Sequence, residues 1–163
     1  MKRRFVLFAC AVLATFACAR PNPDSAGEQT KALVRQLVQE ADASPGDLGW
    51  IDKWLAPDYQ LTLNGTPMDR DAYRQMAMGF VSAFSEIQHE ITQIVAEGDL
   101  VAVRVTLRMV HTGDFEGIAP TGRRVAVEEM VILQFRDGKV ANEWTVADLA
   151  GLHQQLTTAP DGS

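Results

Sequence analysis

The chain has 163 residues, 47% hydrophobic and 22% charged, enough for one globular domain with a real core but not for two. Its formal net charge of −6 argues against nucleic acid as a partner, because binding it requires a basic face that displaces counterions. In chain order, Lys2, Arg3 and Arg4 come first, followed by the apolar run FVLFACAVLATFA. That run is shorter than the roughly 20 residues a membrane-spanning helix needs, and the layout is that of an export signal over residues 1–19. Ala17-Cys18-Ala19 offers an ordinary signal-peptidase site, whereas Thr15-Phe16-Ala17-Cys18 resembles a bacterial lipobox with Cys18 as the lipidated first residue. Both cysteines, Cys10 and Cys18, lie in this segment, so the mature domain has no disulfide. A cysteine at a cleavage point favours a lipid anchor, giving a periplasmic or membrane-anchored lipoprotein; an incidental leader cysteine is the alternative.

Residues 20–29 are expected to form a polar tether, residues 30–156 the domain, and residues 157–163 a flexible tail. From Glu28 to Ala41, apolar Leu33, Val34, Leu37, Val38 and Ala41 recur at helical spacing. Gly46 to Leu55 is expected to form a shorter helix stopped by Pro57. Tyr59 to Leu63 alternates as a strand ended by Asn64-Gly65, and Asp69 can cap a third helix reaching about Phe84. That helix would turn Ala72, Tyr73, Met76, Phe80 and Phe84 inward.

The period then changes to two. Residues 87–96, 100–112, 123–136 and 139–148 read as strands of an antiparallel meander, with Gly98-Asp99 and Asp137-Gly138 as hairpin turns. Helices first and strands second define an α+β protein with helices on one face of a sheet. Val101, Val103, Val105, Leu107, Met109 and His111 share one strand face, as do Val125, Val127, Glu129, Val131, Leu133 and Phe135. This odd face is the buried one.

A two-residue Asp137-Gly138 turn pairs Arg136 with Lys139 and would place Trp144, Val146 and Asp148 on the same buried face. Glu129 and Asp148 then become diagonal neighbours on an apolar floor. Desolvation and like charge would push a carboxyl pKa upward there, leaving one acid protonated near neutrality, which suits acid–base catalysis. Asp148 and Glu129 are therefore the candidate catalytic pair. The bland alternatives are a wet rim, or an ion pair between Glu129 and an arginine such as Arg123. Trp144, Val146, Met109, Tyr59, Tyr73, Met76, Phe80 and His111 are candidate pocket-lining residues for a flat apolar ligand, although such a stripe also suits plain core. Arg104, Arg108, Glu128 and Glu143 fall on the opposite face. His89, His111 and His153 are scattered, and no metal site, phosphate loop or Ser-His-Asp arrangement is apparent.

The stretches EGDLVAVRVTLRMVHTG, FEGIAPTGRRV and FRDGKVANEWTVADLAGLHQQL, with WLAPDY at 54–59, resemble the SnoaL-like polyketide cyclase (ester cyclase) family of the nuclear transport factor 2-like superfamily. The resemblance covers roughly residues 30–156. It implies a cone-shaped, strongly curved antiparallel sheet wrapped round N-terminal helices, with a deep pocket open at one end. It also implies that Asp148, after the last strand's tryptophan, acts as acid–base in an intramolecular aldol closure without metal or cofactor.

Two functions remain open. One is a cyclase-, isomerase- or lyase-type enzyme acting on a small apolar carbonyl or polyketide-like compound. The other is a non-catalytic exported protein that binds a small molecule in the same pocket. No nucleic acid is expected as a partner, and a membrane only through the lipid anchor. The outer sheet face is the expected surface for a homodimer, should one form.

Overall fold

The computed structural model describes residues 23–158. Cys18, the rest of the expected export signal over residues 1–19, residues 20–22 and the chain beyond Thr158 lie outside the described residues. Helix α1 (Pro23–Ala43) begins inside the stretch expected to be a tether. Pro23 occupies its first position, where a missing N–H breaks no helical bond. Its apolar stripe buries Val34 and Ala41. Helix α2 (Gly49–Trp54) starts later than expected, because Asp47 Oδ1 accepts the Gly49 N–H at 2.9 Å and turns the chain first. It buries Ile51 and Trp54, and the Trp54 indole N–H donates to Glu40 on α1 at 2.9 Å.

Strand β1 (Leu55–Leu63) follows at once. Pro57, expected to end the helix, lies instead in the irregular opening of this strand, where the register against its neighbour shifts between Leu55 and Gln60. Asn64 and Gly65 both take positive φ, 47° and 85°, as a two-residue hairpin requires. They lead into β2 (Thr66–Asp69), a short strand absent from the periodicity. Asp69 then caps α3 (Arg70–Ala83) by accepting the Ala72 N–H, as expected.

The remaining strands are β3 (Phe84–Glu97), β4 (Leu100–His111), β5 (Arg124–Arg136) and β6 (Lys139–Ala147), and α4 (Leu149–Thr157) closes the described chain. The sheet order is β2-β1-β6-β5-β4-β3. Every neighbouring pair is antiparallel except β1 and β6, which run parallel. The α+β architecture expected from the sequence is therefore present: a curved, unclosed six-stranded sheet with helices against its concave side.

The odd face of β4 and β5 is buried as read, through Val101, Val103, Val105, Leu107, Val125, Val127, Leu133 and Phe135. The core falls into two clusters. One joins α1, α2 and β1 to the β4–β5 centre. The other gathers Phe84, Ile87, Met109, Val125 and Val127 with Leu152 and Leu156 of α4. Helix α4 takes over from β6 along the edge of β5: Gln155 bonds both the N–H and the C=O of Ala126, at 2.9 and 2.8 Å. Burying that edge would otherwise leave two backbone groups unpaired.

The final strand departs from simple alternation. Arg136 pairs Lys139 and Phe135 pairs Val140, but Gln134 pairs Asn142. Ala141 is thus an extra residue, a β-bulge that puts two consecutive side chains, Val140 and Ala141, into the core. Beyond it the faces are exchanged. Glu143, Thr145 and Ala147 point inward, while Trp144 and Val146 stand on the outer face at 43% and 66% exposure.

Candidate active site

Between α3 and the concave sheet lies a cavity of about 490 Å³, within the range of small-molecule sites. Its roof comes from α3 through Tyr73, Met76, Ala77 and Phe80. Its floor comes from the sheet through Leu61, Leu107, Glu129, Glu143 and Thr145. Trp50 closes one side and the loop residues Asp114, Phe115 and Glu116 line another. Edge-on aromatic contacts fix the roof: Tyr73 meets Trp50 at 6.2 Å and Tyr59 at 5.6 Å between ring centroids.

Two carboxyl groups face this apolar space. Glu143 is held at both oxygens: the Tyr59 hydroxyl donates to Oε2 and the Thr145 hydroxyl to Oε1, each at 2.7 Å. Burial raises the Glu143 pKa, with the two hydroxyl donors and His89 pulling the other way. The Glu129 carboxyl accepts no hydrogen bond from a side chain or backbone group among the described residues. Burial pushes its pKa up to about 7; His89 opposes the shift and Glu143 adds to it. The two acids stand on neighbouring strands, separated along the ladder by three residue pairs, of which Val131–Thr145 shares their face. Tyr73 is held firmly as a neutral phenol by burial and by the nearby Glu143 and Glu129. The cavity therefore offers one carboxyl that exchanges protons near neutrality, a second held by two hydroxyls, and a neutral phenol.

His89 also lines the cavity. Asp42, near the end of α1, takes its ring Nδ1 at 2.6 Å on one oxygen and accepts its backbone N–H at 3.0 Å on the other. Among the described residues no group of three or more His, Cys, Asp or Glu is arranged to hold a metal ion.

The sequence-based site is thus placed in part. Glu129, Tyr73, Met76 and Phe80 line the cavity. Asp148 does not: it is exposed and is the N-cap of α4, accepting the Gly151 N–H at 2.8 Å. The diagonal pairing of Asp148 with Glu129 is corrected by the Ala141 bulge, which ends β6 with Ala147 opposite Glu129. The same bulge removes Trp144 and Val146 from the pocket. Tyr59 is fully buried one layer behind, as the donor to Glu143. Met109 is packed in the second core cluster and does not line this cavity. His111 is fully buried, with Nδ1 accepting the Thr121 N–H at 3.2 Å, so it fastens the loop after β4 and does not line the cavity. Arg123 does not pair with Glu129; it donates to the Gln155 and Thr158 carbonyls at the end of α4. Glu143, read as outward-facing, is the site residue that the expected register hid. His89 and Asp42 come together only in three dimensions.

This geometry, a roofed apolar cavity with two acids on a curved sheet, defines a class of small-molecule pocket, and comparison with known proteins identifies the lineage. The model of the SnoaL-like polyketide cyclase family matches residues 32–156, and the chain belongs to that family. Its fold is the nuclear transport factor 2-like arrangement expected from the sequence, a curved, unclosed sheet with N-terminal helices. Aklanonic acid methyl ester cyclase AcmA of Streptomyces galilaeus is 35% identical over 129 residues, covering 77% of this chain and 88% of the relative. Among solved structures, AclR of Streptomyces galilaeus, assigned as a hydroxylase, is 33% identical with a TM-score of 0.73, covering 83% of this chain and 85% of that one. IdmH of Streptomyces antibioticus, assigned as a polyketide cyclase, is 28% identical with a TM-score of 0.70, covering 80% of this chain and 99% of that one.

Proposed function

We propose that the protein is an acid–base enzyme of the cyclase, isomerase or lyase type, acting on a small, mainly apolar carbonyl or polyketide-like compound. The observation that carries this is Glu129: a carboxyl without a protein donor, facing an apolar cavity whose burial of the group pushes its pKa up to about 7. A carbon between two carbonyls is already acidic, so a positioned base of matched pKa supplies most of what an aldol closure needs. No cofactor enters this scheme. Glu129 takes the α-proton and later returns it to the new alkoxide. Glu143, locked by Tyr59 and Thr145, holds the field around it.

The test uses an aromatic polyketide methyl ester of the kind named for the Streptomyces cyclase. Wild type is expected to exchange the α-proton for deuterium and to close the ring. Glu129→Gln should slow both by about 10²- to 10⁴-fold, the usual weight of general acid–base catalysis. Equal rates in the two proteins would remove the assignment.

The non-catalytic reading keeps the same cavity as a carrier or sensor site for an exported protein. It is favoured by the leader-like residues 1–19, since the export of a polyketide enzyme would separate it from a cytoplasmic synthase. Under it, Glu129→Gln changes affinity alone. We also propose, on the same leader, that Cys18 carries a lipid anchor. On the outer face, Met130, Ile132, Trp144 and Val146 form an exposed apolar band on β5 and β6 beside the Arg104–Glu128 ion pair. A second copy related by a two-fold axis would meet it with the same apolar band and the opposite charges, which supports a homodimer.

A further inference from the structure

We propose that His89, oriented by Asp42, is the second proton-transfer group of the cavity, donating from Nε2 to the substrate carbonyl oxygen while Glu129 takes the neighbouring α-proton. This rests on the acid–base reading above and adds to it the electrophilic half of the reaction. Asp42 commits both its oxygens to one residue, one to the ring Nδ1 and one to the backbone N–H. β3 is the terminal strand of the sheet, so the His89 N–H that Asp42 accepts has no strand on that side to pair with. The carboxylate fixes the proton on Nδ1 and sets the ring's plane, the role a carboxylate has behind a catalytic imidazole. Nε2 is then the ring atom left for a ligand. It has no protein partner among the described residues, and it is not one of the buried polar atoms left without one.

The register gives the spacing. His89 pairs Leu107 on β4, Leu107 pairs Val127 on β5, and Glu129 is two residues further along β5. Two strand spacings and two residues of rise put the Cα atoms about 12 Å apart. At that separation the imidazole and the carboxyl do not reach each other across a concave floor, but a carbonyl unit fits between them. His89 lowers the pKa of both Glu129 and Glu143, which places all three in one electrostatic field. The arrangement selects substrates carrying an enolisable C–H beside a carbonyl, and a β-dicarbonyl ester best of all.

The step balances. The Glu129 carboxylate accepts the α-proton, the C–H electron pair becomes the enol C=C, and the carbonyl oxygen takes the proton from Nε2 of the imidazolium. On closure the enol carbon attacks the second carbonyl. The neutral imidazole recovers the enol proton, and Glu129 delivers its proton to the new alkoxide. Nothing is oxidised or reduced.

The test compares wild type, Glu129→Gln, His89→Gln, His89→Ala and Asp42→Asn, each checked for folding by thermal melting. His89→Gln is expected to lose about 10²-fold in ring closure and Asp42→Asn about tenfold. Added imidazole should restore part of the rate in His89→Ala, which a purely structural tie between α1 and β3 would not allow. In parallel, the wild-type His89 ring, labelled with ¹⁵N, is titrated with a hydroxyanthraquinone, whose ionised phenol mimics the enolate. The Nε2 resonance should move on binding, and His89→Gln should bind the probe about tenfold more weakly. A folded His89→Gln with unchanged rate, failure of imidazole rescue, or a stationary Nε2 resonance overturns the proposal. If Glu129→Gln retains its rate while His89→Gln loses it, the Glu129 assignment fails and His89 stands. The reverse pattern sinks His89 alone.

Discussion

Glutamine at position 129 keeps the shape of the side chain and abolishes its ionisation. In the folded chain the Glu129 carboxyl titrates at about 7, against 4.5 for an unperturbed glutamate. Between those values the folded state holds a proton that the unfolded chain has already released. Stability contributed by the neutral acid is therefore complete at acid pH, falls as pH rises across this window, and levels off above the folded pKa. At about 1.4 kcal/mol for each tenfold change in proton affinity, the full window corresponds to about 3 kcal/mol, a ceiling because the cavity admits water. Glu143 acts in the same direction and remains in the variant, so the variant's profile should be flatter without becoming flat. Urea unfolding followed by tryptophan fluorescence from about pH 4 to about pH 8 reads this directly. The two proteins should agree at the acid end, and Glu129→Gln should be more stable by about 1–3 kcal/mol at the alkaline end. Parallel profiles across the range would mean that the carboxyl is solvated, and its assignment as the base would go with them.

Tyr59→Phe removes a hydroxyl donor from Glu143 and should cost about 1–2 kcal/mol in urea unfolding, while moving the Glu143 titration further upward by NMR. Asp148→Ala removes the cap of α4 and should cost about 1 kcal/mol of stability with turnover retained, the reverse of what a catalytic aspartate would give. Cys18→Ser should abolish incorporation of a labelled fatty acid and release the protein from the membrane fraction. Val146→Glu on the outer face should shift sedimentation from a dimer to a monomer without altering the melting curve of the isolated subunit.

Much of the frame was legible in the chain. The change from a helical period to alternation near residue 84 separates the helices from the meander. Asp69, Asn64-Gly65 and Asp137-Gly138 mark real boundaries, because capping and positive φ are local chemistry. The missing parts are non-local. β2 spans four residues and carries no alternation to read. The parallel joint between β1 and β6 brings Leu55–Leu63 beside residues 140–145, about 80 positions on, without a turn to announce it. Helix α4 is defined as much by its grip on the edge of β5 as by its own pattern. His89 and Asp42, 47 positions apart, meet because α1 lies alongside β3, from Gly27 against Ala96 to Asp42 at His89, and periodicity does not encode that packing.

The site was misread at one residue, for a physical reason. Period-two logic holds that a register slip is forbidden because it turns apolar side chains to water. Ala141 escapes that logic by being small enough to enter the core beside Val140, so the strand keeps its first buried residue and changes face afterwards. The exchange exposes Trp144 and Val146, each of which would contribute about 1.5–3 kcal/mol if fully buried. In their place it turns inward Glu143 and Thr145, bonded to each other and, through Glu143, to Tyr59. A strand that gives up apolar burial to bring a carboxyl inside is arranged against its own stability. Such an exchange is what a functional pocket demands. The apolar band it leaves outside is the surface proposed above for a second copy, so the proposed outer-face dimer and the inner acid would both trace to the same bulge. Deleting Ala141 should straighten β6 without reversing it: Gln134 still pairs Asn142 and Leu133 still pairs Glu143, so Glu143 stays inside, Trp144 and Val146 stay outside, and turnover is expected to survive; a folded deletion variant without turnover would refute this account of the strand.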